Sequence, residues 1–145
     1  MDRGCRPPYP MPPPFAARGR GLKTEIRESM HMADQKIDGA LFKSMVIEGA
    51  LAIAENKERA NELNVFPVPD GDTGTNMSMT MASAMTELDK LEEPTLAKAA
   101  DTAASALLRG ARGNSGVILS LLFRGMAKKL REAEQADGRA LALAL

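Results

Sequence analysis

From Asp38 onward, apolar side chains recur every three or four positions, and no stretch of useful length alternates apolar with polar. Spacing of that kind stacks residues on one face of a helix of 3.6 residues per turn, whereas a half-buried strand needs a period of two. Phe42, Met45, Val46, Gly49, Ala50 and Ile53 make the first stripe, in a helix expected from an N-cap at Asp38 to about residue 60. A second helix is expected over residues 76–91, with Met77, Met81, Met85 and Leu88 on its core face; a methionine row also suits an adaptable binding groove. Pro94 and Thr95 punctuate the pattern. Leu96, Ala99, Ala100, Ala103 and Leu107 then form an Ala-rich face that allows close helix approach, and Gly110 closes that helix. A fourth helix is expected over residues 115–133 with Val117, Ile118, Leu121 and Leu122 turned inward. Asp137-Gly138 interrupts, and residues 139–145 restart a helical run. The fold class expected is all-α.

Two loops depart from this pattern. The first reads NVFPVPDGDTGTN over residues 64–76. Pro67 and Pro69 fix their own φ and push Phe66 and Val68 towards extended backbone, so the approach to Asp70 is stiff. Asp70 and Asp72 stand two residues apart, which in an extended stretch aims both carboxylates the same way, about 6–7 Å apart. That spacing suits one hard cation held between them, or two cations about 4 Å apart as in phosphoryl-transfer sites. Gly71 and Gly74 let the backbone turn and approach a ligand closely. Thr73, Thr75 and Asn76 open a helix whose N-terminal N–H groups favour an anion. Simple capping of a Gly-containing turn accounts for one Asp and one Thr, but not for two carboxylates, two prolines and two glycines in eight residues.

The second loop reads RGARGNSG over residues 109–116. Three glycines leading into a helix make a nest of outward N–H groups, with Ser115 placed as a cap or a phosphate contact. No Gly-Lys-Ser/Thr follows, so this is not the P-loop pattern, and no predicted strand precedes it, so a dinucleotide fold is not expected. Helices of about 16 and 13 residues, roughly 24 and 20 Å long, separate the two loops. A tight turn at Pro94 makes those helices antiparallel neighbours and returns the second loop to the end that carries the first. An acidic pair beside an amide nest describes a metal–polyphosphate site.

Composition bears on partners. The 145 residues carry 19 basic and 19 acidic side chains, and this balance argues against nucleic acid or an anionic membrane as the partner. Aromatics at 3% are too few for base stacking, and a single Cys cannot close an internal disulfide. No apolar run approaches the roughly 20 residues of a membrane span, so a soluble, cytoplasmic protein is expected. Residues 1–29 hold six of the nine prolines and six basic against three acidic residues, so residues 1–36 are expected to be a disordered Pro/Arg-rich leader or a mis-assigned start. Within that leader Cys5 has no assigned role, and His31, between Glu28 and Asp34, is a poor metal site.

The run NVFPVPDGDTGTNM, followed about 33 residues later by GARGNSGVILS, resembles the nucleotide-binding domain of the dihydroxyacetone kinase small-subunit family. The branch it is most similar to is the ATP-binding domain of bacterial fatty acid kinase. The resemblance covers residues 37–145 and implies an antiparallel eight-helix barrel, here in part, that binds ATP or ADP with two Mg²⁺ ions at one end. It implies that Asp70 and Asp72 bind metal, with Asn64 nearest to where the dihydroxyacetone branch has a third Asp. Thr73, Gly74, Thr75, Asn76 and Met77 match one phosphate-contacting segment, and Gly113, Asn114, Ser115 and Gly116 match the other. The activity implied is transfer of phosphate from ATP to a fatty acid carboxylate presented by a separate fatty-acid-binding protein, giving an acyl phosphate. By the same resemblance the 145 residues are part of a longer domain, expected to be inactive alone. A homodimer is left open. Two alternatives are the ADP-holding subunit of a dihydroxyacetone kinase and a non-catalytic nucleotide- or metal-sensing helical module. The first usually carries Gly-Asp-Gly-Asp followed by His, where this chain has Pro-Asp-Gly-Asp-Thr.

Overall fold

A computed structural model describes residues 36–65 and 68–145; the expectations for residues 1–35, including Cys5 and His31, and for Phe66 and Pro67 lie outside the described residues. Six helices occur among the described residues: α1 (Gly39–Glu55), α2 (Lys57–Glu62), α3 (Thr73–Asp89), α4 (Leu96–Arg109), α5 (Gly113–Leu130) and α6 (Gly138–Ala144). With no strand among those residues, the fold is all-α, as expected.

Asp38 caps α1 by accepting from the Leu41 N–H at 2.8 Å. Just before it, Ile37 and Ala136 exchange two backbone hydrogen bonds, of 2.6 and 2.9 Å, which tie the start of α1 to the α5–α6 connection. The single helix expected to residue 60 is broken at Asn56. Both the backbone N–H and the side-chain amide of Asn56 bond the Ala52 carbonyl, at 3.2 and 2.9 Å, so the side chain competes with the helix ladder and ends it. The short α2 that follows turns out to place two side chains of the candidate site.

Helix α4 is the centre of the packing. It lies against α1, α3 and α5, and Leu96, Ala99, Ala103 and Leu107 on it are fully buried. Met81, Ala84 and Leu88 of α3 and Phe42, Val46 and Ala50 of α1 close on that face. Met45 and Gly49, expected in the α1 stripe, are exposed instead. Lys43 donates to the Leu91 carbonyl at 2.8 Å and so ties α1 to the connection that follows α3. Gly110 does end α4, with φ −95° rather than a left-handed angle; a Cβ there would stand 2.0 Å from Ser83 Oγ.

The inward face of α5 differs from the expectation. Val117, Ile118, Leu121 and Leu122 are 45–60% exposed, while Gly116, Ser120, Met126, Ala127 and Leu130 are buried. The reason is close approach: a Cβ at Gly116 would lie 2.4 Å from Thr80 Oγ1, so only the smallest residues fit where α5 meets α3. Hydropathy selects the bulky face, and packing selects the thin one.

Gly39 is equally constrained, since a Cβ there would meet the Pro94 carbonyl oxygen at 1.9 Å, a backbone atom that cannot swing away. Gly39→Ala is therefore expected to cost about 1–3 kcal/mol, as overpacking does. Thermal unfolding checks this, and an unchanged midpoint would contradict the α1–Pro94 contact.

Candidate functional site

The first loop is built by α2. Gly74, in the first turn of α3, sits so close to α2 that a Cβ would be 2.1 Å from the Lys57 carbonyl oxygen. This contact brings Asn61 and Asn64, at i and i+3, over the start of α3. Asn61 accepts from the Thr75 N–H at 3.1 Å and donates to Thr75 Oγ1 at 3.0 Å. A donor that the N-cap side chain would ordinarily take is thus satisfied from another helix. Asp72 occupies the N-cap position but makes no capping bond, and its exposed carboxylate accepts nothing from the described residues. Asn64 donates to Asp70 Oδ1 at 2.5 Å. A carboxylate only accepts, so the amide nitrogen must face it and the Asn64 Oδ1 is left for another partner. Gly71 between the two aspartates has φ +64°, the left-handed turn that re-aims the chain into α3.

The second loop lies against the first turns of α3. Arg112 is extended at the N-cap of α5, and its N–H donates to Thr80 Oγ1 at 3.0 Å; Thr80 in turn donates to the Asn76 carbonyl at 2.7 Å. Gly113 follows with φ +57°, and a Cβ on it would stand 2.5 Å from Asn76 Nδ2. With Gly113 beside Asn76 and Gly116 beside Thr80, α5 and α3 start side by side and run in the same sense. Both loops therefore meet at one end, as the helix lengths required.

The local geometry amends three expectations. Helix α3 starts at Thr73 rather than near Asn76, and α5 starts at Gly113, so Ser115 sits inside the first turn and Arg112 is the cap residue. The amide of Thr75 is engaged by Asn61, which leaves its hydroxyl proton as the donor it can offer. The N–H groups of Thr73 and Gly74, and those of Gly113, Asn114 and Ser115, find no partner among the described residues. In contrast, α1, α4 and α6 are capped by the side chains of Asp38, Thr95 and Asp137. Met77 lies one position beyond Asn76, half-buried.

Asn61 and Thr80 escape any reading of local pattern, because each acts across a gap of 14 or 32 residues. Only the spacing of Asn61, on a helix too polar to be core, and Asn64, two residues past its end, hints at a shared face. The site is an open surface: Asp70, Asp72, Gly113 and Asn114 are all exposed. A concavity of about 680 Å³ lies at the opposite end, lined by Asp38, Pro94 and Arg131 among others.

Two exposed carboxylates and one amide oxygen are a sparse donor set, and no group of three or more His, Cys, Asp or Glu gathers among the described residues. Such a set fits Mg²⁺, which keeps several waters and takes one or two carboxylates plus phosphate oxygens. It does not fit a metal that needs a full protein cage.

The model of the DAK2 domain family matches residues 67–145, which include both aspartates and the whole second loop. The chain belongs to the DAK2 domain family. The chain is 46% identical over 107 residues to uncharacterized proteins of Staphylococcus aureus strains USA300, NCTC 8325 and N315, an alignment covering 74% of this chain and 20% of each relative. The chain thus spans about a fifth of the length of the curated relatives it matches. Membership makes it a dihydroxyacetone kinase-family domain, a kinase-related nucleotide-binding module. Among the described residues, no helix is long and apolar enough to cross a membrane.

Proposed function

We propose that this DAK2 domain is the ATP·Mg²⁺-holding part of a cytoplasmic kinase that transfers phosphate to a fatty acid carboxylate, giving an acyl phosphate. The observation that carries the reading is that the N-termini of α3 and α5 lie side by side, with first-turn amides free among the described residues, next to the segment that carries two exposed carboxylates; neither helix's own N-cap residue makes a side-chain capping bond. Amides at Thr73, Gly74, Gly113, Asn114 and Ser115 would hold phosphate oxygens, helped by the positive ends of two helix dipoles. The side chains of Asn76 and Ser115, the hydroxyl proton of Thr75 and the helix turns at Met77 and Gly116 would shape that cradle. Asp70 and Asp72, with the Asn64 amide oxygen, would hold Mg²⁺, which neutralises charge on the phosphates when bound. Positioning and charge neutralisation are the main contributions a protein makes to phosphoryl transfer. The carboxylate acceptor is favoured over dihydroxyacetone by Thr73, which follows Asp72 where the dihydroxyacetone branch usually has His. The acyl group would arrive on a separate fatty-acid-binding protein.

The test is run on the 145-residue chain and on a chimera that continues after Leu145 with the sequence of a Staphylococcus aureus relative. Each receives ATP, Mg²⁺ and either a fatty acid loaded on a lipid-binding protein or dihydroxyacetone, with hydroxylamine to trap acyl phosphate. Acyl hydroxamate from the chimera is the expected result. ATP consumption with dihydroxyacetone and none with fatty acid would overturn the assignment of the acceptor.

A further inference from the structure

We infer that Thr80 is a positioning residue, whose hydroxyl sets the second loop at the height on α3 where its amides face the same ligand as Asp72 and Asn76; this rests on the nucleotide reading above. The hydroxyl has no exposure to solvent and uses its capacity in two directions. It donates to the Asn76 carbonyl, one turn back on its own helix, and accepts from the Arg112 N–H, the residue that starts α5. Threonine bonding its own i−4 carbonyl is common on helices and does not by itself suggest a role. What sets Thr80 apart is the second bond, a side-chain link from α3 to the backbone of the other loop. Gly116 packs onto the same oxygen, so α5 can close on Thr80 only because position 116 has no Cβ. Remove the hydroxyl, and Arg112 keeps a backbone donor with no acceptor while the next residue, Gly113, loses its fixed place against Asn76. Thr80 touches no ligand in this scheme. It acts through Arg112 and Gly113.

The experiment compares T80V, which keeps the shape and loses the hydroxyl, with T80S, which keeps the hydroxyl. Mg·ATP affinity of the 145-residue chain is measured well below the unfolding midpoint, alongside amide hydrogen exchange. S120A serves as the stability control, since Ser120 is a fully buried hydroxyl that bonds only the Val117 carbonyl of its own helix. The expected result is about tenfold weaker Mg·ATP binding in T80V, the scale of one buried hydrogen bond, with near-parental affinity in T80S and S120A. In the parent chain the Arg112 amide is expected to exchange more slowly than the neighbouring Gly113 and Asn114 amides. Equal affinity of T80V and parent overturns the positioning role, and so does T80S as impaired as T80V. If T80V does not fold, the exchange measurement on the parent decides, and an Arg112 amide as fast as its neighbours overturns the proposal. Absence of Mg·ATP binding by the parent, with Arg112 protected, identifies the nucleotide reading as the part that fails and overturns the proposal with it.

Discussion

Replacing Asp70 and Asp72 together with Ala is expected to abolish Mg²⁺-dependent nucleotide binding and to leave the helices standing. Both carboxylates are exposed, and Asp72 does not cap α3 although it occupies the cap position. The Thr75 amide that an N-cap side chain would serve is already held by Asn61. Removing the carboxylates therefore strips no buried donor of its partner; the loss within the protein is the exposed Asn64–Asp70 bond. Surface changes of that kind stay within about 0.5 kcal/mol. Binding is another matter, because Mg²⁺ takes few protein ligands and at the proposed site would lose both charged ones. A fall of about 100-fold or more in Mg·ATP affinity is expected, with ATP alone affected far less. Circular dichroism and thermal unfolding check the fold, and calorimetry with and without Mg²⁺ checks the binding. Unchanged affinity in the double variant would remove the metal assignment.

Gly113→Val should also weaken binding, for a different reason. Its φ of +57° is one that a β-branched residue adopts only with strain, and its Cβ would stand 2.5 Å from Asn76 Nδ2. The second loop and the Asn76 side chain cannot both keep their places, so the two walls of the cradle separate. A loss of about tenfold or more in Mg·ATP affinity is expected, beyond what a lowered melting temperature explains. Gly125→Val, on the same helix, is the control, because a Cβ at Gly125 meets no neighbouring element within 4 Å. Ser115→Ala adds a second comparison. Since Arg112 rather than Ser115 is the cap residue, that change should leave stability within about 0.5 kcal/mol and reveal whether the hydroxyl contacts phosphate. Equal ATP binding by Gly113→Val and the parent would reject the loop as a phosphate contact.

These two predictions rest on features of unequal visibility in the sequence. The all-α class, the Asp38 cap, the Ala-rich face of α4 and the meeting of the two loops at one end all follow from local pattern and helix length. Each is set within one element, or by the rise per residue of two neighbours. The break at Asn56 is not visible in that way, because the stripe running through Phe42, Val46 and Ala50 shows no gap before it. The inward face of α5 is mis-phased for a clearer reason. Val117, Ile118, Leu121 and Leu122 carry the apolar signal, yet the seam with α3 needs Gly116 and Ser120, whose smallness decides how near two helices lie. Within the candidate site, spacing singles out Asp70 and Asp72, but Gly71 between them takes φ +64°, so the extended run expected to aim both carboxylates the same way is broken there. Asn61 and Thr80 are not singled out in this way, because what they do is defined only once α2 lies on α3 and α5 beside it.

Backbone amide NMR of the 145-residue chain, titrated with Mg·ATP, tests the central claim most directly. That claim is that the joined N-termini of α3 and α5, with the acidic pair in front, form the nucleotide phosphate site. The expected result is a set of saturable shifts at residues 72–76 and 113–116, much reduced when EDTA removes Mg²⁺ and absent from residues 92–97 and 131–134 at the opposite end. Shifts confined to that opposite end, or none at the two loops at saturating Mg·ATP, would contradict it.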